Sequence, residues 1–228
     1  MSHPVPGSRA DGADLDDEPA AYPVVASETV WRSGRVIDVR TDQVRMSDGS
    51  TATRDVVVHP GAVGIVAIDD DQRVLLIQQY RHPVGWRLWE PPAGLLDEPG
   101  EDPLVAARRE LFEEAHLQAG RWDVLVDAFT SPGMCDEAVR IYLARDVAAA
   151  DGERFHGRDE EADLRTQWVP LSEAIDAVLA GSLHNPLAAM GLLAAAHVLG
   201  RGGDGLRPAD TPWPQMSAYP GSARAGGS

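Results

Sequence analysis

The chain has 228 residues, enough to bury a full core, and reads as one domain with appendages. Its net charge of −16 excludes nonspecific nucleic-acid binding, and because it contains Arg but no Lys, any strong cationic clamp on an anionic substrate would be an Arg fork. Cys135 is the single cysteine, no apolar run is long enough to span a membrane, and no signal peptide is evident, so a cytoplasmic protein without membrane or nucleic-acid partners is expected.

Residues 1–22 are rich in Asp, Pro, Gly and Ala, lack aliphatic periodicity and predict a disordered tail. Residues 23–59 change texture. Short strands are expected at Val24-Val25, Val30-Trp31, 36–40 and 44–46, with a turn at Ser47-Asp48-Gly49-Ser50 and a returning strand over 54–59. Together they predict a small antiparallel N-terminal sheet in which Trp31 is a packing residue. Apolar runs over 62–69 and 73–80, joined by a polar turn, suit buried strands, and further strands are expected over 86–90, 123–130, 138–144 and 164–169. Helical periodicity covers 171–183 and 186–199, with Pro186 as a start and Gly200 as a stop. The tail over 201–228 loses periodicity and is expected to be mostly irregular, with part of it docked because Trp213 is costly to expose. The order strands, helix, strands, helices implies an α/β/α sandwich with a mixed sheet over 60–200.

Between Glu90 and Leu117 a glycine-containing loop runs into a helix loaded with carboxylates. Asp102 suits the N-cap and Pro103 the first helical position. Leu104, Ala107, Leu111 and Ala115 form an apolar stripe. Glu110 and Glu114, four apart, stack on one face, and Glu113 lies within reach of Arg109. Stacked like charges are tolerated when solvated or when a hard divalent cation sits between them. The residues alone leave both readings open.

The string Gly94, Glu101, Arg109-Glu110-Leu111, Glu113-Glu114 and Leu117 resembles the Nudix box, G-x5-E-x7-R-E-U-x-E-E-x-G-U with U aliphatic. Two features depart from it. Six residues separate Gly94 from Glu101 where the family has five, a difference assigned to the Pro99-Gly100 turn, and His116 stands at a Gly position that usually supplies a left-handed helix cap. The resemblance implies a Nudix-type sandwich and pyrophosphate hydrolysis with Mg²⁺, or Mn²⁺, on Glu110 and Glu114. It adds Glu101 and the Ala93 carbonyl as further metal ligands, and Arg109 and Glu113 as supporting catalytic residues.

Two stretches are similar to the ADP-ribose pyrophosphatase subfamily. Gln79-Tyr80-Arg81 and Trp89-Glu90-Pro91-Pro92-Ala93-Gly94 resemble its Q-Y-R and W-E-L-P-A-G segments, and Pro132 lies fifteen residues past Leu117, where the subfamily has a Pro. This implies cleavage of ADP-ribose to AMP and ribose 5-phosphate. Arg54 and Arg81 would grip the substrate, with Glu90 and Glu137 as further substrate contacts. In the acidic run 159–163, Glu161 would activate the water, with Glu160 the second candidate. Relatives are homodimers, so a homodimer is expected, the N-terminal sheet region serving dimerisation and substrate contact. Hydrolysis of another nucleoside diphosphate sugar, and a nucleotide-binding module without turnover, are the alternatives. Cys135 reads as an ordinary loop residue, since no His partner can be assigned to it.

Overall fold

The computed structural model describes residues 16–32, 36–152 and 164–217. The N-terminal sheet is present, with three antiparallel strands in the order β1 (Val24–Arg32), β2 (Asp38–Arg45) and β3 (Thr51–Val58). The two short strands expected at Val24 and Val30 are one continuous strand with two register shifts. Trp31 does not pack within the described residues: it is 50% exposed, beside exposed Val24, Val25 and Val30 on the same strand.

A second sheet is mixed and five-stranded. It contains β4 (Ala62–Ala67), β7 (Ala93–Leu95), β8 (Leu117–Phe129), β9 (Ala138–Ala149) and the short β11 (Arg207–Pro208), in the order β11-β8-β9-β4-β7. Only the β4 and β9 pair is parallel among these neighbours. A three-stranded antiparallel sheet is formed by β5 (Arg73–Arg81), β6 (Trp86–Glu90) and β10 (Arg165–Pro170). Helix α1 (Pro103–Ala115) covers one side, and α2 (Leu171–Leu179) and α3 (Pro186–Gly200) cover the other.

Period-two alternation along β4 explains the layering. Val63, Ile65 and Ala67 pack with Ala106, Ala107 and Leu111 of α1, whereas Val66 and Ile68 pack with Leu171, Ala174, Ala188 and Leu192 of α2 and α3. Both faces of β4 are buried, so its sequence reads as an unbroken apolar run. Gly191 permits the close approach of α3, since a Cβ there would lie 2.7 Å from Val66 Cγ2.

Several elements differ in extent from the sequence expectation. β8 begins at Leu117 and β9 runs to Ala149, so the two form a longer hairpin arm than the apolar runs alone suggest. Cross-strand pairing carries their polar, partly exposed ends, which apolar alternation does not mark. α2 stops at Leu179, where Ala180 caps it and Gly181 adopts φ +70°. The C-terminal segment docks, as Trp213 suggested. Arg140 on β9 forks onto its registered partner Asp127 on β8 (2.7 and 3.0 Å), and Arg207 joins the same carboxylate at 2.7 Å. Arg140 also donates to the carbonyls of Thr211 (2.7 Å) and Pro212 (3.3 Å), and its guanidinium lies 4.9 Å from the centre of the Trp213 ring.

Candidate functional site

The acidic face of α1 meets the edge strand β7. Asp102 caps the helix by accepting from the Leu104 N–H at 2.8 Å, and Pro103 opens it, as its sequence predicts. The other end closes on His116, whose left-handed backbone (φ 55°, ψ 43°) lets its N–H reach the carbonyls of Leu111 and Phe112. The loop before the helix turns at Glu98–Glu101, where Gly100 has φ +79°.

Gly94 explains why the box needs a glycine there. A Cβ at that position would fall 2.1 Å from the Glu110 carboxylate, so only a hydrogen allows α1 to bring Glu110 onto β7. One turn further on, Glu114 Oε2 accepts from the Ala93 N–H at 2.9 Å. The four-residue spacing thus sets both carboxylates against the Ala93-Gly94 backbone.

Arg109 gathers the remaining acids. Its Nε and Nη2 fork onto Glu101 (3.1 and 3.0 Å), and its Nη1 donates to Glu110 at 2.6 Å and Glu113 at 3.3 Å. The hydrogen bonds that Arg109 donates to Glu101, with the charge of Glu110 added against the cost of partial burial, raise Arg109 above its ordinary value, so it is a permanent cation. One guanidinium serves three carboxylates of α1 and its approach loop, with Glu114 alongside on the Ala93 N–H. The donor set is all oxygen, part-exposed and in excess of its local positive charge, which fits a hard divalent cation. Among the described residues no three His, Cys, Asp or Glu side chains converge on a common point that could hold a metal. Glu110 instead leans on Arg109, and Glu114 on the Ala93 N–H.

Arg81 and Glu90 form a second group. They sit on β5 and β6 and meet in a two-point fork at 2.9 and 2.7 Å. Glu90 is 1% exposed, while the Arg81 side chain keeps 40% exposure. Pro91 and Pro92 then carry the chain from the smaller sheet to β7, with the Pro92 carbonyl accepting from the Ile65 N–H. The phosphate-gripping candidate and the acidic helix face are therefore joined by a short, stiff connection.

The other candidates lie apart. Arg54 is exposed on β3 and donates to the Thr53 carbonyl. Glu137 accepts a hydrogen bond from Thr130 and lies 3.4 Å from His59 Nδ1. Its neighbour Asp136 receives the His59 N–H and pairs with Arg40, tying the loop before β9 to the N-terminal sheet. Burial pushes the Cys135 thiol up, which agrees with an ordinary loop residue. Glu160 and Glu161 lie outside the described residues. Sequence reasoning missed the Arg40–Asp42 pair, the Arg140–Asp127–Arg207 cluster and Asn185, which donates to Glu90. Of these only Asn185 carried a local signal, the Asn-Pro pair that starts α3.

Comparison with known proteins bears on the family. A model of the NUDIX domain matches residues 58–189. The ADP-ribose pyrophosphatase of Mycobacterium tuberculosis is 47% identical over 192 residues, spanning 84% of this chain and 91% of that protein. The methanol dehydrogenase activator of Bacillus methanolicus is 39% identical over 132 residues, 58% of this chain and 71% of that one. Among solved structures, an ADP compounds hydrolase aligns with a TM-score of 0.67 at 26% identity, covering 82% of this chain and 100% of the other. With the box residues assembled on α1 and β7 and a family model matching more than half its length, this chain belongs to the Nudix family.

Proposed function

We propose that this chain is a divalent-metal-dependent pyrophosphohydrolase that splits ADP-ribose into AMP and ribose 5-phosphate. The observation that carries the proposal is the placement of Glu110 and Glu114 against the Ala93-Gly94 backbone. The choice of substrate is supported by the Mycobacterium tuberculosis relative, an ADP-ribose pyrophosphatase.

Glu110, Glu114 and the Ala93 carbonyl would hold Mg²⁺, or Mn²⁺, with Glu101 as a further oxygen donor. When bound, such an ion supplies charge neutralisation at the diphosphate and makes water more acidic. Arg109 orders Glu101, Glu110 and Glu113 so that their oxygens stay on one side of the helix. Glu161, with Glu160 second, takes the proton of the attacking water. Arg81 and Arg54 grip phosphate or ribose oxygens. Glu90 is buried, so its part in substrate binding is to hold and orient the Arg81 guanidinium. Glu137 faces the terminal ribose.

The chain divides into an N-terminal sheet region over 23–59, a catalytic domain over 60–200 and two tails. The protein works as a homodimer in the cytoplasm. The exposed valines and Trp31 of β1 supply the apolar face for that pairing.

Release of AMP from ADP-ribose, with and without Mg²⁺, tests the activity. Metal-dependent release is expected. Faster turnover of another nucleoside diphosphate sugar in a substrate panel overturns the substrate, and no turnover of any member leaves a binding module.

A further inference from the structure

The Arg81–Glu90 fork has a third member. Asn185 is 7% exposed, and its Nδ2 donates to Glu90 Oε2 at 2.8 Å, the same oxygen that accepts from Arg81 Nη2 at 2.7 Å. Its Oδ1 accepts from the Ala188 N–H at 3.0 Å and caps α3. Chemistry fixes this orientation of the amide, because the helix N–H needs an acceptor and the carboxylate needs a donor. Beside it, His184 meets the Trp86 ring edge-on at 5.2 Å, so the start of α3 is fastened to both ends of β6.

A carboxylate held only by one exposed arginine can rotate about its side-chain torsions and take the guanidinium with it. Here Glu90 is buried, and the oxygen that accepts from Arg81 Nη2 is also held by an amide that cannot move without uncapping a helix. The plane of the Glu90 carboxylate is therefore set by α3, and it sets the plane of the Arg81 guanidinium in turn. We infer that Asn185 is a positioning residue for substrate binding, aiming Arg81 through Glu90 while capping α3. This rests on the reading above that Arg81 grips the substrate.

The two duties of Asn185 can be separated. In Asn185→Ser a hydroxyl can still cap the helix, but it is too short to reach Glu90. Asn185→Asp also caps, and it places a second carboxylate against the buried one. For Asn185→Ser the expected result is a KM for ADP-ribose raised about tenfold with kcat little changed, the signature of lost uniform binding. Asn185→Asp raises KM further. In an Arg81→Ala background, Asn185→Ser adds nothing to KM, because the two substitutions remove one interaction. A wild-type KM in Asn185→Ser, or the same multiplication of KM with and without Arg81, overturns the inference.

A reading independent of turnover is the Arg81 Nε–H resonance, identified by its disappearance in Arg81→Ala. It should shift and exchange faster with solvent in Asn185→Ser, and an unmoved resonance also overturns the inference. A shifted resonance in a protein that does not hydrolyse ADP-ribose would leave the relay standing and remove the proposed activity instead.

Discussion

Two arginine–carboxylate clusters flank this fold, and their difference separates a site from a staple. Around Arg140, two guanidiniums meet the single carboxylate of Asp127, the Thr211 and Pro212 carbonyls accept from Arg140, and the Trp213 ring covers its charge. That cluster is closed. Around Arg109, one guanidinium meets Glu101, Glu110 and Glu113, with Glu114 alongside on the Ala93 N–H. That cluster carries excess negative charge at a part-exposed edge. A buried pair with its hydrogen bonds complete has nothing further to bind, whereas repelled carboxylates held in place by a helix gain by taking up a cation.

The comparison breaks first at Arg140. Arg140→Met leaves Asp127 half-paired, and the expected loss is about 3 kcal/mol of stability. For a chain of this size that lowers the melting temperature by roughly 6–12 °C, read by calorimetry. Turnover measured well below the transition should stay at the wild-type level. Loss of turnover with an unchanged melting temperature would mean that the Arg140 cluster is no mere staple.

Glu114→Gln should do the reverse. The amide oxygen can still accept from the Ala93 N–H, and one repelled charge is gone, so the fold stays at least as stable. Turnover of ADP-ribose should fall about a hundredfold, an effect worth roughly 2.7 kcal/mol of barrier. Mg²⁺ should raise the melting temperature of the wild type, and much less that of the variant. Equal turnover in both proteins would remove Glu114 from metal binding.

Acid distinguishes the clusters more gently. Burial tends to raise the Asp127 carboxyl, yet the hydrogen bonds from Arg140 and Arg207 overcome it and hold the group below its ordinary value. A depressed carboxylate contributes stability that is present above its unfolded pKa, near 4, and is lost as pH falls through the lower folded value. The melting temperature should therefore drop as pH is lowered from about 5 toward 3, and Asp127→Asn should flatten that part of the curve. An unflattened curve would place the acid sensitivity elsewhere.

What the sequence disclosed follows how local each signal was. Helix α1 was legible because its cap, its proline and its apolar stripe lie within fourteen residues, from Asp102 to Ala115. The part of the site it builds was legible for the same reason, since Glu110 and Glu114 need only helical spacing to share a face. β7 was not, because three residues beside Pro92 carry no alternation to read. The exposure of Trp31 was not legible either: apolar alternation says that a face should be covered, without saying by what. Arg140 looked like any polar strand residue, since the register that brings Asp127, Arg207 and Trp213 to it spans distant segments. Asn185 was half legible. Its cap is written in the Asn-Pro pair, while its bond to Glu90 reaches across ninety-five positions.

His116 yields the smallest effect and tests whether the open cluster tolerates change at its border. The residue closes α1 in a left-handed conformation that a side chain pays for, and its Nδ1 is buried without a hydrogen-bond partner among the described residues. Against these costs stands a ring contact with Phe112, the centroids 5.3 Å apart. The backbone term alone is worth about 1 kcal/mol, and the orphaned nitrogen adds to it, so His116→Gly should stabilise the protein by roughly 1 kcal/mol in spite of the lost ring contact. The melting temperature then rises by about 2–4 °C. Because the cap hydrogen bonds to Leu111 and Phe112 come from the backbone, the glycine keeps them, and Glu114 stays in register with Ala93. A lower melting temperature in His116→Gly would mean that the Phe112 contact outweighs the left-handed strain, and that the histidine is a packing residue of α1 in its own right.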